Sequence, residues 1–347
     1  ESIRKDIRVI NYSLLGIDWY INQLRYKVNE SPAIDVIWSA DQIEGSKRDY
    51  IEYKPNASMP DDKFYNLYNV MKNYVGKDNP DNDYSFPVKN VTVPVDVAAA
   101  IKNGTVNATD SVLSSLDFSL PRNALMKNES AVLNIIAANN WKRPIYFTNA
   151  GAELGFDQFL RRDGLSYRLA PVKNSKVNTD WMLDKLTNKF AFGNADKPGV
   201  YFDEENRRHL GGIRSAYAEL AIDLAAKNRK EEAKAVLNKV DKMMHESNFG
   251  YGLTSRGNLH NRNSLLFLEA CYLAGDQTLI QKVSAAVKKD LEQQVNYYNT
   301  LSGQKADNMA QEKQTAETYL QALGQMQTMY NPSVEIPGKV MSKEASK

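Results

Sequence analysis

The sequence is short of the side chains that most often carry chemistry. Among its 347 residues there is one cysteine and there are three histidines. A single thiol, Cys271, excludes an intrachain disulfide and a thiolate metal cluster. It lies in the apolar stretch LLFLEACYLAG, where a free cysteine reads as a core residue and not as a nucleophile. His209, His245 and His260 have no His, Cys or carboxylate three or four residues further on, so no zinc-type ligand set is expected. Long apolar runs are missing too; none approaches the roughly 20 residues that cross a bilayer. That makes the piece soluble as it stands. An excess of one charge is also lacking: 44 basic residues face 42 acidic ones, for a net charge of +2. The cations alternate with acids, as in Arg161-Arg162-Asp163, whereas a nucleic-acid surface needs a concentrated basic face, so no nucleic-acid partner is expected. There is no GxSxG elbow, P-loop, GxGxxG or HExxH. Carboxylate pairs select nothing in a chain with 42 acids. No catalytic residue, metal or cofactor is therefore expected.

What is present has the composition of an ordinary globular protein, 42% hydrophobic and 25% charged, and is long enough for two domains. IRVIN (7–11) is a β-branched run that reads as a buried strand. Asp18 then offers an N-cap for the helix WYINQLRYKV. IDVIW (34–38) reads as a second strand, which makes a parallel βαβ unit. Asp61 or Asp62 is expected to cap the helix DKFYNLYNVMKNYV. VKNVTVPVDV (88–97), LDFSLP (116–121), IYFTNA (145–150) and LSYRLAPV (165–172) read as extended, with Pro94 marking an edge or a break. NESAVLNIIAANNW (128–141) reads as a helix capped by Asn128. Residues 1–175 thus form a mixed α/β domain with Rossmann-like βαβ elements. Residues 176–202 form a linker with one helix.

From 203 to 330 the pattern is helical, giving an all-α domain of helical hairpins. Tyr217, Leu220, Ala221 and Leu224, then Ala233, Leu237 and Val240, match a tetratricopeptide-like spacing. A looser copy runs through Phe267, Leu268, Cys271, Gly275 and Ile280, and the insertion NFGYGLTSRGNLHN separates the two. Residues 331–347 read as a flexible tail.

Three clusters are candidates for recognition. Asn11, Ser13, Asp18, Trp19 and Tyr20 lie where the first strand passes into its helix, a place where ligands bind in open parallel sheets; capping by Asp18 and packing by Trp19 is the alternative. Lys142 and Arg143 precede a strand and suit an anion, or else the C-terminal end of a helix dipole. Tyr251, Arg256 and His260, with Phe249, Asn258, Tyr297 and Tyr298, lie on or beside a Gly-containing loop that is either a partner-binding surface or a long solvated loop.

The stretches RKDIRVINYSLLGIDWYINQLR, ANNWKRPIYFTNAG and DGLSYRLAPVK, in that order, resemble a family of multi-spanning bacterial membrane proteins of unknown function. That family is related to protein O-mannosyltransferases of the GT-C superfamily. The resemblance covers residues 1–175 well and the helical part loosely. It implies that Glu1 follows a transmembrane portion carrying the catalytic acid, so no catalytic residue carries over to this piece. It further implies an extracytoplasmic, periplasmic domain, membrane-tethered in the full-length protein. Its partners would be its own upstream transmembrane region and an acceptor protein or glycan. The full-length protein would be a lipid-phosphate-sugar-dependent glycosyltransferase, and this piece a non-catalytic part of it. Asp110-Ser111-Val112 resembles an acceptor tripeptide for O-glycosylation. A free-standing periplasmic interaction module, using the helical hairpins, is the alternative.

Overall fold

The computed structural model describes residues 4–81, 83–149, 154–173 and 176–330. Two compact units divide at residues 176 and 177. The first is mixed α/β and the second is helical.

The first unit is built on three small sheets. In one, β1 (Tyr50–Tyr53) lies between β3 (Tyr84–Phe86), which is parallel to it, and β6 (Ala124–Met126), which is antiparallel. In another, β4 (Asn90–Pro94) lies between a parallel β2 (Tyr65–Asn66) and an antiparallel β5 (Ser115–Ser119). Val91 and Val93 alternate inward and face Phe118 and Leu116, as expected of a half-buried strand. Pro94 closes β4 beyond the reach of β2, which pairs only with Val91 and Thr92, so its missing N–H disrupts no ladder on that side. The third sheet is antiparallel, in the order β7 (Tyr146–Phe147), β9 (Ser166–Leu169), β8 (Leu160–Asp163).

The expected βαβ unit at the N-terminus is not formed. Residues 7–11 are extended but join no sheet, and Val9 is 83% exposed. Strand propensity acts only where a pleated, half-buried surface is on offer, and here side chains supply the hydrogen bonds. The Tyr20 hydroxyl accepts from the Asn11 N–H at 2.8 Å. Residues 34–38 are likewise no strand. The Ile34 N–H donates to Leu24 O, the Ile37 N–H to the Asn134 side chain, and the Trp38 indole to Met71 O.

Short helices fill the gaps between the sheets. α1 (Asp18–Leu24) and α2 (Ala40–Ile43) precede β1. α3 starts at Leu67, later than its apolar pattern suggests; Asn66 caps it, in place of Asp61 or Asp62, by accepting from the Asn69 N–H at 3.1 Å. It runs to Val70 and widens into a π turn over Met71–Val75. Buried donors reach its carbonyls: the Trp38 indole joins the Gly76 N–H on Met71 O, at 3.0 Å, and the Arg48 guanidinium reaches Val75 O at 2.7 Å. Placing a cation at a helix C-terminus also suits the helix dipole.

α4 (Val97–Lys102) follows β4 and is capped by Asp96. α5 (Lys127–Ala138) is the central helix, with Ala131, Leu133, Ile136 and Ala137 in the core. It begins one residue before Asn128, and its cap is made by Glu129. That carboxylate accepts from the Met126 N–H at 2.8 Å and pairs with Arg122 at 2.6 Å.

The second unit begins inside the stretch read as a linker. α6 (Thr179–Asn188) buries Met182 and Leu186, and Phe192 and Ala195 follow them into the same core. α7 (Glu204–Ala226) and α8 (Lys230–Met243) form one hairpin, turned by Asn228 at φ +60°. A short α9 (Glu246–Phe249) leads to a second hairpin, α10 (Leu259–Ala274) and α11 (Gln277–Asn299), turned by Gly275 at φ +77°. α12 (Gln304–Asn308) and α13 (Ala310–Tyr330) complete the unit. Tyr217, Leu220, Ala221, Leu224, Phe267 and Cys271 meet in one continuous core. Burial pushes the Cys271 thiol pKa upward. The expected tail, 331–347, lies outside the described residues.

Candidate functional site

Asn11, Ser13, Asp18, Trp19 and Tyr20 do come together, but with divided roles. The Asn11 side-chain Oδ1 accepts from the Leu14 N–H at 3.2 Å and starts a 3₁₀ turn over Ser13–Gly16. This is the local hydrogen-bonding habit of Asn in turns. Asp18 is the first residue of α1, and Ile17 takes the cap position. Its carboxylate accepts from the Gly45 N–H at 3.0 Å and from the Trp19 N–H at 2.6 Å. These two backbone donors hold its pKa below the ordinary carboxylate value. Asp18 therefore ties α1 to the loop after α2 and is a poor acid or base at neutral pH. Trp19 is different: it is 51% exposed and stands edge-on to Tyr20, with ring centroids 5.8 Å apart. Asn11 and Ser13 are exposed beside this pair.

Lys142 and Arg143 both have partners within the first unit. Lys142 pairs with Asp35 at 2.6 Å. Arg143 donates to Pro32 O at 3.1 Å, to the Ser31 hydroxyl at 3.0 Å and to Asp6 O at 3.3 Å. Burial lowers its pKa. It acts as a clasp on the extended N-terminal segment, the one that leads into Asn11. Two left-handed residues, Asn140 at φ +44° and Trp141 at φ +55°, precede it. The Trp141 indole is buried and donates to Pro94 O at 2.7 Å, which fixes this turn.

Of the third cluster, Arg256 and Tyr297 are exposed; Phe249, Tyr251, Asn258 and His260 are buried, so the loop is packed and not solvated. Arg214 on α7 is sandwiched between the rings of Phe249 and Tyr251, at 4.4 and 4.3 Å. Its guanidinium donates to Phe249 O at 2.7 Å and to Gly250 O at 3.0 Å. The Tyr251 hydroxyl donates to Asp241, which also pairs with Lys282 at 2.7 Å. Asn258, Asn261, Asp290 and Gln294 make a second buried polar network beneath. These are the bonds of a structural staple. His209 is exposed and lies 3.6 Å from Glu205, while His245 caps α9.

Composition alone did not reveal the buried cations. Arg161 and Arg168 are cross-strand partners on β8 and β9, so they share a face of the third sheet. Arg168 pairs with Asp163 and donates to the Gly104 carbonyl. Arg161 pairs with Asp110 at 2.9 Å. Burial pushes the Asp110 carboxyl up, but the Asn107 N–H and Arg161 outweigh it and hold the pKa below its ordinary value. A legible signal existed: RRD and YR occupy paired strands, and alternation puts Arg161, Asp163 and Arg168 together. In the tripeptide Asp110-Ser111-Val112, the ion pair anchors Asp110, a bridge to Val172 anchors Val112, and Ser111 is exposed between them.

Among the described residues there is no group of three or more His, Cys, Asp or Glu able to hold a metal ion, and no helix long and apolar enough to cross a membrane. The family model for TMEM260-associated domain 2 matches residues 1–189. Comparison with curated proteins and with solved structures found no match.

Proposed function

The chain belongs to the TMEM260-associated domain 2 family, and on that premise we propose that it is a non-catalytic recognition domain of a membrane-bound, glycosyltransferase-like protein. It binds a glycan or a glycan acceptor on the extracytoplasmic side. The observation that carries this reading is the Trp19 platform. A half-exposed indole stands edge-on to Tyr20, whose hydroxyl accepts from the Asn11 N–H at 2.8 Å, and Asn11 and Ser13 are exposed polar residues of the turn just before it. Sugars present C–H faces that stack on aromatic rings and hydroxyls that need polar neighbours, and an aromatic ring with a polar flank offers both. The platform is also held rigidly, since Asn11 and Asp18 spend their hydrogen bonds on backbone donors around it. The link to O-mannosyltransferases rests on the motif resemblance in residues 1–175. The membrane tether and periplasmic location follow from the same resemblance.

The test is calorimetric titration of the chain with serine- and threonine-containing acceptor peptides, with and without O-linked mannose. Binding that Trp19→Ala abolishes, with the circular dichroism spectrum unchanged, supports the reading. Absence of binding to every ligand, or equal binding by Trp19→Ala, removes it.

A second reading, a tetratricopeptide-like partner-binding module, is favoured by the paired hairpins. A groove between α6 and α8, lined by Leu183, Asp184, Val236 and Lys239, offers the surface. Its check is a partner recovered from envelope extract whose binding is lost in Asp184→Lys.

A further inference from the structure

The N-terminal segment forms a surface of unusual composition outside the Trp19 platform. Residues 7–10, after a bend at Lys5 and Asp6, alternate between exposed and half-buried side chains and lie against the end of α1 and the turn that follows it. The Arg8 guanidinium donates to Gln23 O at 2.7 Å and to Tyr26 O at 3.3 Å. The Glu30 N–H donates to Lys5 O at 3.2 Å. Val28 and Ser31 exchange both backbone hydrogen bonds at 3.0 Å around Asn29, which is left-handed. Arg143 clasps Asp6 O, Ser31 and Pro32. Two chain segments are thus stitched side by side and fixed to the body of the unit.

What they display is apolar. Ile7, Val9, Tyr26 and Val28 are all exposed, Val9 at 83% and Tyr26 at 69%. In an extended segment Ile7 and Val9 share a side, opposite Arg8. The same two segments carry cations: Lys5 and Lys27 are exposed, and Arg8 and Arg25 donate to backbone carbonyls. Among the described residues no ion pair neutralises Lys5, Arg8, Arg25 or Lys27; Asp6 is taken by Arg4 at 2.5 Å. Residues 4–30 hold five basic and three acidic residues, a net +2 that equals the net charge of the whole chain.

We propose that this face rests on a bilayer surface bearing anionic headgroups. Val9 and Tyr26 enter the boundary between headgroups and acyl chains, and Lys5 and Lys27 meet the phosphates. The core of a protein–protein interface is depleted of charge, whereas the membrane interface favours aromatic and aliphatic side chains interleaved with Lys and Arg. The stitching gives the face a fixed shape, so no ordering cost is added on binding. The proposal rests on the preceding reading in naming a membrane as the neighbour, but it uses other residues.

The experiment is co-sedimentation of the chain with phosphatidylcholine vesicles and with mixed phosphatidylcholine–phosphatidylglycerol vesicles at low salt. Binding to the mixed vesicles is expected, and it weakens as salt screens the charges. Each cation near an anionic surface is worth roughly fivefold in partitioning, so Lys5→Gln with Lys27→Gln lowers binding roughly 25-fold. Val9→Ser with Tyr26→Ser abolishes it; both sites are exposed, so the circular dichroism spectrum stays that of the unaltered chain. Three results overturn the proposal. One is no binding to either vesicle. Another is binding that Val9→Ser with Tyr26→Ser leaves intact. The third is a concentration-dependent dimer that the same pair abolishes, which would assign the face to a second copy. Loss of glycan binding with vesicle binding retained would remove the earlier reading alone, and the reverse would remove this one alone.

Discussion

Acid is expected to loosen the helical unit through one imidazole. His260 is 8% exposed, stands edge-on to Phe249 at 4.7 Å, and lies 2.9 Å from Gly250 O through Nε2. A carbonyl only accepts, so Nε2 donates to it. Burial, with Arg214 adding to it, lowers the His260 pKa from 6.5 to about 4; Asp290 offsets part of this. In the unfolded chain the ring takes up a proton as pH falls through 6.5, while the folded ring waits until about 4. The unfolded state therefore binds protons first. Stability is complete above 6.5 and is lost as pH falls toward 4. One pKa unit is worth about 1.4 kcal/mol, so the loss is about 2 kcal/mol at pH 5 and reaches about 3 kcal/mol below pH 4. Other groups titrate in the same range, so the measurement is a difference. Urea unfolding is followed by circular dichroism at pH 7.5 and pH 5 for the unaltered chain and for His260→Gln, whose amide can still donate to Gly250 O. The unaltered chain should lose about 2 kcal/mol more than the variant on acidification. Equal losses would refute the reasoning.

Two further outcomes follow from packing. A Cβ on Gly252 would lie 2.2 Å from Ala286 O and 2.9 Å from Asp290 Cβ. Backbone cannot yield as a flexible side chain can, so Gly252→Ala is expected to cost about 3 kcal/mol, the upper end of overpacking, measured as a shift in the urea midpoint. Cys271 is fully buried and its thiol is held protonated by burial. A thiol-specific aromatic disulfide should label nothing in the native chain and one group per chain in urea; rapid native labelling would contradict the buried placement.

The parts of the fold that could be read in advance are those where one face is buried and the period is plain. NVTVP and SLDFS alternate, and they pair as β4 and β5. The apolar positions of α7, α8 and α10 recur at helical spacing and meet in one core. At the N-terminus β-branched residues are no sign of burial. Ile7 and Val9 are instead displayed outward while Arg8 and Arg143 hold the backbone. The cap positions differ because the helices start elsewhere than their apolar pattern suggests: α5 begins at Lys127, with Glu129 reaching back to the Met126 N–H, and α3 at Leu67, with Asn66 accepting from the Asn69 N–H. Of the candidate site residues, Asn11, Trp19 and Tyr20 are brought together by a local turn, since they are close in sequence. Tyr251 and His260 could not be judged, because their burial depends on Arg214, some 40 residues earlier in the chain and on another helix. Arg48 and Lys127, both buried, serve backbone carbonyls far away in sequence, and no local pattern announces that.

The stapled stretch between α8 and α10 has a consequence for how the helical unit opens. Loops usually peel from a scaffold at little cost, which makes them the first sites of cleavage. This one cannot. Lifting Phe249 to Tyr251 would strand the Arg214 charge among helices, unpair His260 and empty the seat of Gly252 against α11. Its amides are thus bound to the same all-or-none event as the hairpins, and a protease that cuts there reports the unfolding of the whole unit and not the fraying of a surface segment.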